Sequence, residues 1–488
     1  MMGEHDEGAE VGGVRNADLC DKFRAYCQVA ITMLNNKLDE SGDARGFVAS
    51  VPGFTLKQNG SVELADTEET NWRGVVSRWR EEVAGTEQSP SVHQALRDDE
   101  TIAGHLDRPI WIPGSYMLSP GSDIWVEEFL TSLLYQGGGR FQDAVFDSLY
   151  GRMEAFFYED QLELRILAPV GGFEMEGDLI EFERRLRIVR LTQADVDRMA
   201  QFWASPFGGL LLRKPWIGKR RWGFELYLRM PKQMGGGGQE AHQEAWKHTW
   251  HSLVWDRFEE ACSALRVYRK GDMWYDFYLG DFTSWHPRNA PLFGGDMNLR
   301  QLFYESYTLS EEATAELVEF SKGWGKAKHW QDLEVAVHRF SLGCERSSPV
   351  DRLIDYVIAL EALLLPDEKT GEYRYRLSLR GAALLGKDPL DRAAIKRNLA
   401  EAYDTRSSIV HGSKEKLETV GWRKKPDKGE KLATEDVAFR DFVDYISDYV
   451  RALIQELGRQ VEKKKLVRVL QDDIDDAIAK GFATPKQS

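Results

Sequence analysis

Apolar and polar positions alternate along this 488-residue chain in two different textures. From about residue 310 onward the apolar residues return every three or four positions. Leu353, Val357, Leu360 and Leu364 form one such stripe, which a helix turns toward a core. The pattern predicts helices at about 310–322, 329–346, 349–365, 373–386, 389–411 and 434–464. Pro349–Val350–Asp351 is a good helix start, because proline is preorganised for the first turn. The stretches LPDEKTGEY and GKDPLD are short turns between helices. Together these segments predict a compact helical bundle.

Before residue 310 the pattern is mixed. Residues 19–39 read as a helix, and two more helical segments flank YQGGGR between 124 and 160. Strands are expected within GFVASVPGFTL and GSVELAD, several more within LELRILAPVGGFEMEGDLIEFERRLRIVRLT, and another in RRWGFELYLRMP. KQMGGGGQE reads as a loop, followed by a helix at about 240–262. SALRVYRKGDMWYDFYLGDF reads as a hairpin turning at Lys270–Gly271–Asp272. The fold class expected is therefore α+β. Residues 1–305 make an α+β sensor or regulatory region of one or two subdomains. Residues 306–465 make the helical domain, and 466–488 a charged, peripheral tail.

Composition narrows the function classes. No run of eighteen apolar residues indicates a membrane span, and MMGEHDEGAEVGG lacks the basic and apolar regions of a signal peptide. Cys20, Cys27, Cys262 and Cys344 are too few for a disulfide framework and match no zinc knuckle, so the expected compartment is the cytoplasm. Cys20 and Cys27 share one helix face, as core residues do. Most of the fifteen tryptophans read as core or interface anchors. A formal net charge of −15 excludes a protein that coats nucleic acid with its whole surface, though not one with a local basic groove.

The candidate chemistry lies in YDTRSSIVHG, residues 403–412. An arginine followed at this spacing by a histidine is frequent by chance. Arg406 reads equally as a cation near a helix C-terminus, with His411 preceding a Gly412 cap. The pair also suits RNA cleavage by the RNA's own 2′-hydroxyl, where histidine moves protons near neutral pH and arginine grips phosphoryl oxygens in a fork. Five positions along a regular helix turn the two side chains about 140° apart. One chain does not focus both on one phosphate, whereas two copies of this helix end lining one cleft would.

The blocks SPVDRLIDYVIALEALLL, YRYRLSLRGAALLG and IKRNLAEAYDTRSSIVHG, in this order, resemble the HEPN superfamily, in particular the ApeA-like domains of bacterial anti-phage defence proteins. The resemblance covers roughly 310–460, and the residues before it carry no specific match. Arg406, Ser407, the spacer Ser408–Ile409–Val410 and His411 correspond to the family's motif. The resemblance implies a metal-independent endoribonuclease that needs no cofactor, works as a homodimer or higher homo-oligomer on an RNA substrate, and leaves 2′,3′-cyclic phosphate and 5′-hydroxyl ends. Arg406 would hold the phosphate and His411 would transfer protons. Infection, through a phage-derived or small-molecule trigger, would release the activity. Two other readings stand beside it: a non-catalytic RNA-binding protein dimerised through the bundle, and a nucleotide sensor using the N-terminal half.

Further candidates surround the pair. Ser407 bonds phosphate or is a surface hydroxyl. Glu361, a carboxylate within an apolar helix, needs a partner, and Arg376, Arg380 and Arg406 are the choices. It is either structural or catalytic. Tyr403, on nearly the same face as Arg406, stacks or packs. Arg380 is a further candidate for substrate contact. The segment GSKEKLETVGWRKKPDKGEK has seven basic against four acidic residues. Its Trp422, Arg423, Lys424 and Lys425 combine aromatic and cation, as a single-strand RNA contact does, and equally form a solvated loop. His242, His248 and His251 share a predicted helix without a carboxylate or cysteine to complete a zinc set. MGGGGQE lacks the lysine of a phosphate-binding loop.

Overall fold

The computed structural model describes residues 14–480, apart from 42–46, 58–61, 107–109, 112–120, 184, 205–219, 232, 235–238, 272, 276, 283–291, 295–305, 367–370 and 413–433. The chain is α+β and folds as two compact units. The first comprises Met1–Gly171, Arg185–Trp255 and Tyr275–Met297. The second comprises Gly172–Arg184, Asp256–Trp274 and Asn298–Ser488.

In the first unit an antiparallel sheet runs in the order Leu292–Gly294, Tyr278–Phe282, Gln161–Val170, Trp222–Pro231, Leu186–Arg190. The two central strands pair over their full length, from Gln161 opposite Pro231 to Val170 opposite Trp222. Leu164, Ile166, Ala168 and Val170 alternate along one strand and are all buried, the period of two that a pleated strand imposes. The opposite face carries charge. Arg165 bonds Glu225 (2.5 Å) and Asp195 (2.6 Å), and Arg187 shares Glu225. The helix Ala17–Ser41 buries Phe23, Cys27, Ala30 and Leu34 at helical spacing. Val48–Leu56 and Val62–Thr70 form an antiparallel hairpin. Helices Ser122–Gln136 and Asp143–Tyr158 are joined at the glycine triplet, where Gly138 and Gly139 take φ of 59° and 79°. A side chain there would be strained.

The second unit is dominated by helices Glu311–Gly323, Glu334–Glu345, Pro349–Leu364, Tyr373–Leu385, Pro389–Val410 and Thr434–Gln460. Their starts follow from side chains: Ser310 accepts from the Ala313 amide, Ser348 from that of Asp351, and Asp388 from those of Leu390 and Asp391. Leu353, Val357, Leu360 and Leu364 are all fully buried in one core with Leu377, Leu399, Val450 and Leu457. Close packing depends on glycine at two crossings. A Cβ on Gly343 would overlap the Tyr356 ring, and one on Gly381 would overlap Leu399.

Two expectations are corrected. SALRVY is the end of the helix Gln239–Tyr268 and not a hairpin strand. Phe258, Ala261, Cys262 and Leu265 are all buried, and their three- and four-residue spacing outweighs the turn signal at Lys270–Gly271. The segment after 465 does not form a peripheral tail as far as residue 479. Leu466–Arg468, a π-helix at Val469–Asp475 and Asp476–Ala479 follow one another, and Leu466, Val469 and Leu470 enter the bundle core. Three apolar side chains among charges were enough to seat it.

Candidate functional site

The helix Pro389–Val410 positions the Arg–His motif. Its buried side runs through Ile395, Leu399 and Ala402, and continues at the same spacing to Arg406. Asn398 ties the helix to Thr434–Gln460 by donating to the Tyr449 hydroxyl (3.1 Å). The helix stops at His411, whose amide donates to the Ser407 carbonyl (3.0 Å). Gly412 follows with φ of 71° and its amide on the Ile409 carbonyl (3.1 Å). This is a glycine-terminated C-cap, and it leaves the His411 side chain exposed.

Arg406 turns inward. Its Nη2 lies 3.8 Å from Glu361 Oε2 on the helix Pro349–Leu364. Among the described residues, its Nε–H is buried and meets no acceptor. An unmet buried donor costs about 1–3 kcal/mol. Burial raises the Glu361 carboxyl above its ordinary range, and the charge of Arg406 pulls it back only in part. Tyr403 packs against the core beside both; burial first, then the Glu361 charge, raises its phenol. The site is thus a half-buried Glu361–Arg406–Tyr403 cluster, with His411 one turn further on and facing solvent. Among the described residues no hydrogen bond links Arg406 to His411.

Glu361 therefore selects Arg406 from its three candidate partners. Ser407 is half-buried, and its carbonyl accepts from the His411 amide at the cap. Arg380 is corrected. It is 1 % exposed, with Nε and Nη2 on Asp475 (2.9 and 2.6 Å) and Nη1 on the Leu364 carbonyl (2.6 Å). It fastens the π-helix to the end of the Glu361 helix and has no open face for substrate. Trp422, Arg423, Lys424 and Lys425 lie outside the described residues, as do the side chains of His242, His248 and His251. Among the described residues no three His, Cys, Asp or Glu side chains gather as a metal would require, and no helix is long and apolar enough to cross a membrane.

Residues not singled out in the sequence adjoin the cluster. Arg374 grips Asp404, two positions before Arg406, through both carboxylate oxygens (2.8 and 2.9 Å). The signal was legible in YRYR at the start of a helix, where four large side chains precede the first buried position, Leu377. Comparison of the chain with models of protein families, with curated proteins and with solved structures finds no match.

Proposed function

We propose that the second unit is a HEPN-type endoribonuclease and that the chain is a cytoplasmic defence effector whose first unit senses the trigger. The observation that carries this reading is Arg406: a partly exposed guanidinium beside one carboxylate, on the same helix end as an exposed histidine. Glu361 fixes the guanidinium, and Arg406 offers it to the phosphoryl oxygens, where negative charge grows during attack. The RNA 2′-oxygen bonds to phosphorus and the P–O5′ bond breaks, leaving a 2′,3′-cyclic phosphate and a 5′-hydroxyl. One proton must leave the 2′-hydroxyl and one must reach the departing 5′-oxygen, and the exposed imidazole of His411 is the group at this helix end that can carry them. The inward Arg406 and outward His411 favour a site shared between two copies, in which Arg406 of one chain holds the phosphate and His411 of the other takes the 2′-hydroxyl proton and then gives a proton to the 5′-oxygen. Four free cysteines suit a reducing compartment.

The test is cleavage of mixed RNA by the full chain in EDTA, with end-group analysis. The expected products carry cyclic phosphate, and Arg406→Ala and His411→Ala each lower the rate by about 100-fold or more. Loss of phage protection in both variants is the cellular counterpart. Variants that cut RNA and protect cells as well as the native chain would overturn the reading.

A further inference from the structure

A cavity of about 470 Å³ opens between three helices of the second unit. Small-molecule pockets have this size, roughly 300–1,000 Å³. Tyr268 and Arg269 come from the end of the helix Gln239–Tyr268, Glu316 and Phe320 from Glu311–Gly323, and Gln455 and Arg459 from Thr434–Gln460. Glu316 and Phe320 are one helical turn apart, as are Gln455 and Arg459, so each pair shares a helix face. Polar clasps fix the walls. Gln455 Nε2 donates to the Val267 and Tyr268 carbonyls (2.7 and 3.1 Å), and the Tyr268 hydroxyl reaches the Ala313 carbonyl (3.0 Å). The ring centroids of Tyr268 and Phe320 lie 5.6 Å apart, and together they make one wall aromatic.

The polar groups of the cavity are unevenly spent. The Tyr268 hydroxyl faces two acceptors at the same distance, the Ala313 carbonyl and Glu316 Oε2 (3.0 Å each). A hydroxyl has one proton to donate, so the exposed Glu316 carboxylate keeps acceptor capacity. Arg459 is spent on Glu456 (2.7 Å), one turn back on its own helix. Arg269 is not: among the described residues its guanidinium makes no hydrogen bond or ion pair, and its charge acts on the Tyr268 phenol. The cavity thus offers an aromatic wall, a carboxylate with room for donors and an open guanidinium.

We propose that this cavity binds a purine mononucleotide, with its base on the Tyr268–Phe320 wall, its N–H edge toward Glu316 and its phosphate on Arg269. Aromatic side chains give a base a stacking surface, a carboxylate accepts two parallel N–H bonds, and a guanidinium fork matches phosphate oxygens. Guanine presents adjacent N–H donors at N1 and N2, whereas adenine presents its N6 amino group alone, so a guanine nucleotide is the better fit. An organic acid would answer Arg269 and face the Glu316 charge unpaired, and an organic cation the reverse. The cavity shares no residue with the Glu361–Arg406–Tyr403 cluster or His411, and the proposal stands whether or not the chain cuts RNA.

The test is isothermal titration calorimetry of the full chain with GMP, AMP, guanosine and phenylalanine. GMP is expected to bind once per chain and more tightly than AMP. Arg269→Ala should weaken GMP by about 10-fold or more, the loss of a charged hydrogen-bond pair, and leave guanosine unchanged. Glu316→Gln should erase the preference for GMP, because an amide pairs well with adenine. Both substituted side chains are exposed, and unchanged melting of the ligand-free variants excludes unfolding as the cause. Because GMP is also a piece of RNA, the Arg406→Ala chain is titrated in parallel and should bind GMP like the native chain. Absence of GMP binding up to about 1 mM overturns the site. Equal GMP affinity in the native and Arg269→Ala chains does so too, as does loss of binding in Arg406→Ala instead. Phenylalanine binding in place of GMP overturns the nucleotide assignment.

Discussion

Glu361 condenses the physics of the site. Ionising a half-buried carboxylate is unfavourable, and Arg406 at 3.8 Å compensates only in part, so burial still leaves the carboxyl raised. The folded chain then holds this proton more tightly than the unfolded chain does. Stability arising from the neutral acid is full at low pH and is lost as pH climbs from the ordinary carboxylate range through the raised value. Once ionised, Glu361 is a liability to stability, set against its place beside Arg406. Glu361→Gln is expected to leave the stability at pH 7 equal to or above that of the native chain, by no more than about 1 kcal/mol because the side chain keeps an exposed edge. The difference should close toward pH 4. RNA cleavage should meanwhile fall by about 10-fold as the guanidinium loses its anchor. Melting across pH and cleavage assays check both halves. A lower Tm at pH 7 would mean that the ion pair outweighs burial.

Helices are held to one another here by specific polar clasps as well as by the apolar core. Arg380, in the interior, joins the Tyr373–Leu385 helix to the π-helix through Asp475 and to the end of the Glu361 helix through the Leu364 carbonyl. Arg380→Ala removes charge-assisted bonds and leaves a buried carbonyl unmet, with an expected loss of about 3 kcal/mol measured by urea unfolding. Near-native stability in that variant would show that the π-helix is dispensable to the bundle. The same residue shows where sequence reading stops. Periodicity located the helix, and the sequence reading placed Arg380 at the substrate. Which arginine was enclosed depended on Asp475, 95 positions away, in a segment whose charge made it look peripheral. The SALRVY segment taught the same lesson in reverse: Lys270–Gly271 is a real break, but the apolar spacing before it is helical and ran to the break itself.

For the whole molecule, the geometry of YDTRSSIVHG has a consequence for assembly. The divergence of about 140° expected from helix pitch is realised as one side chain on the core side and one in solvent, since the core stripe reaches Arg406 and the cap begins at His411. If two copies share a site, Arg406→Ala and His411→Ala chains, each inactive alone, should regain part of the native cleavage rate when unfolded and refolded together. With random pairing about half of the dimers are mixed. Light scattering should give a mass above that of one chain. Full inactivity of the refolded mixture, with a monomeric native chain that still cuts, would exclude sharing.

The helices of the bundle, the strand-rich stretch before them, the helix start at Pro349–Val350–Asp351 and the stripe Leu353–Val357–Leu360–Leu364 were all legible in the sequence. They follow from local rules: a period of 3.6 or 2, a side chain that bonds the next amides, a proline that suits the first turn. The motif of Arg406 and His411 was legible too, as a pattern of suitable residue types. What folding alone settled were choices among equals at long range: that Glu361 meets Arg406 and that Arg380 is sealed by Asp475. Burial and charge pairing depend on which surfaces meet in three dimensions, and no local period encodes that.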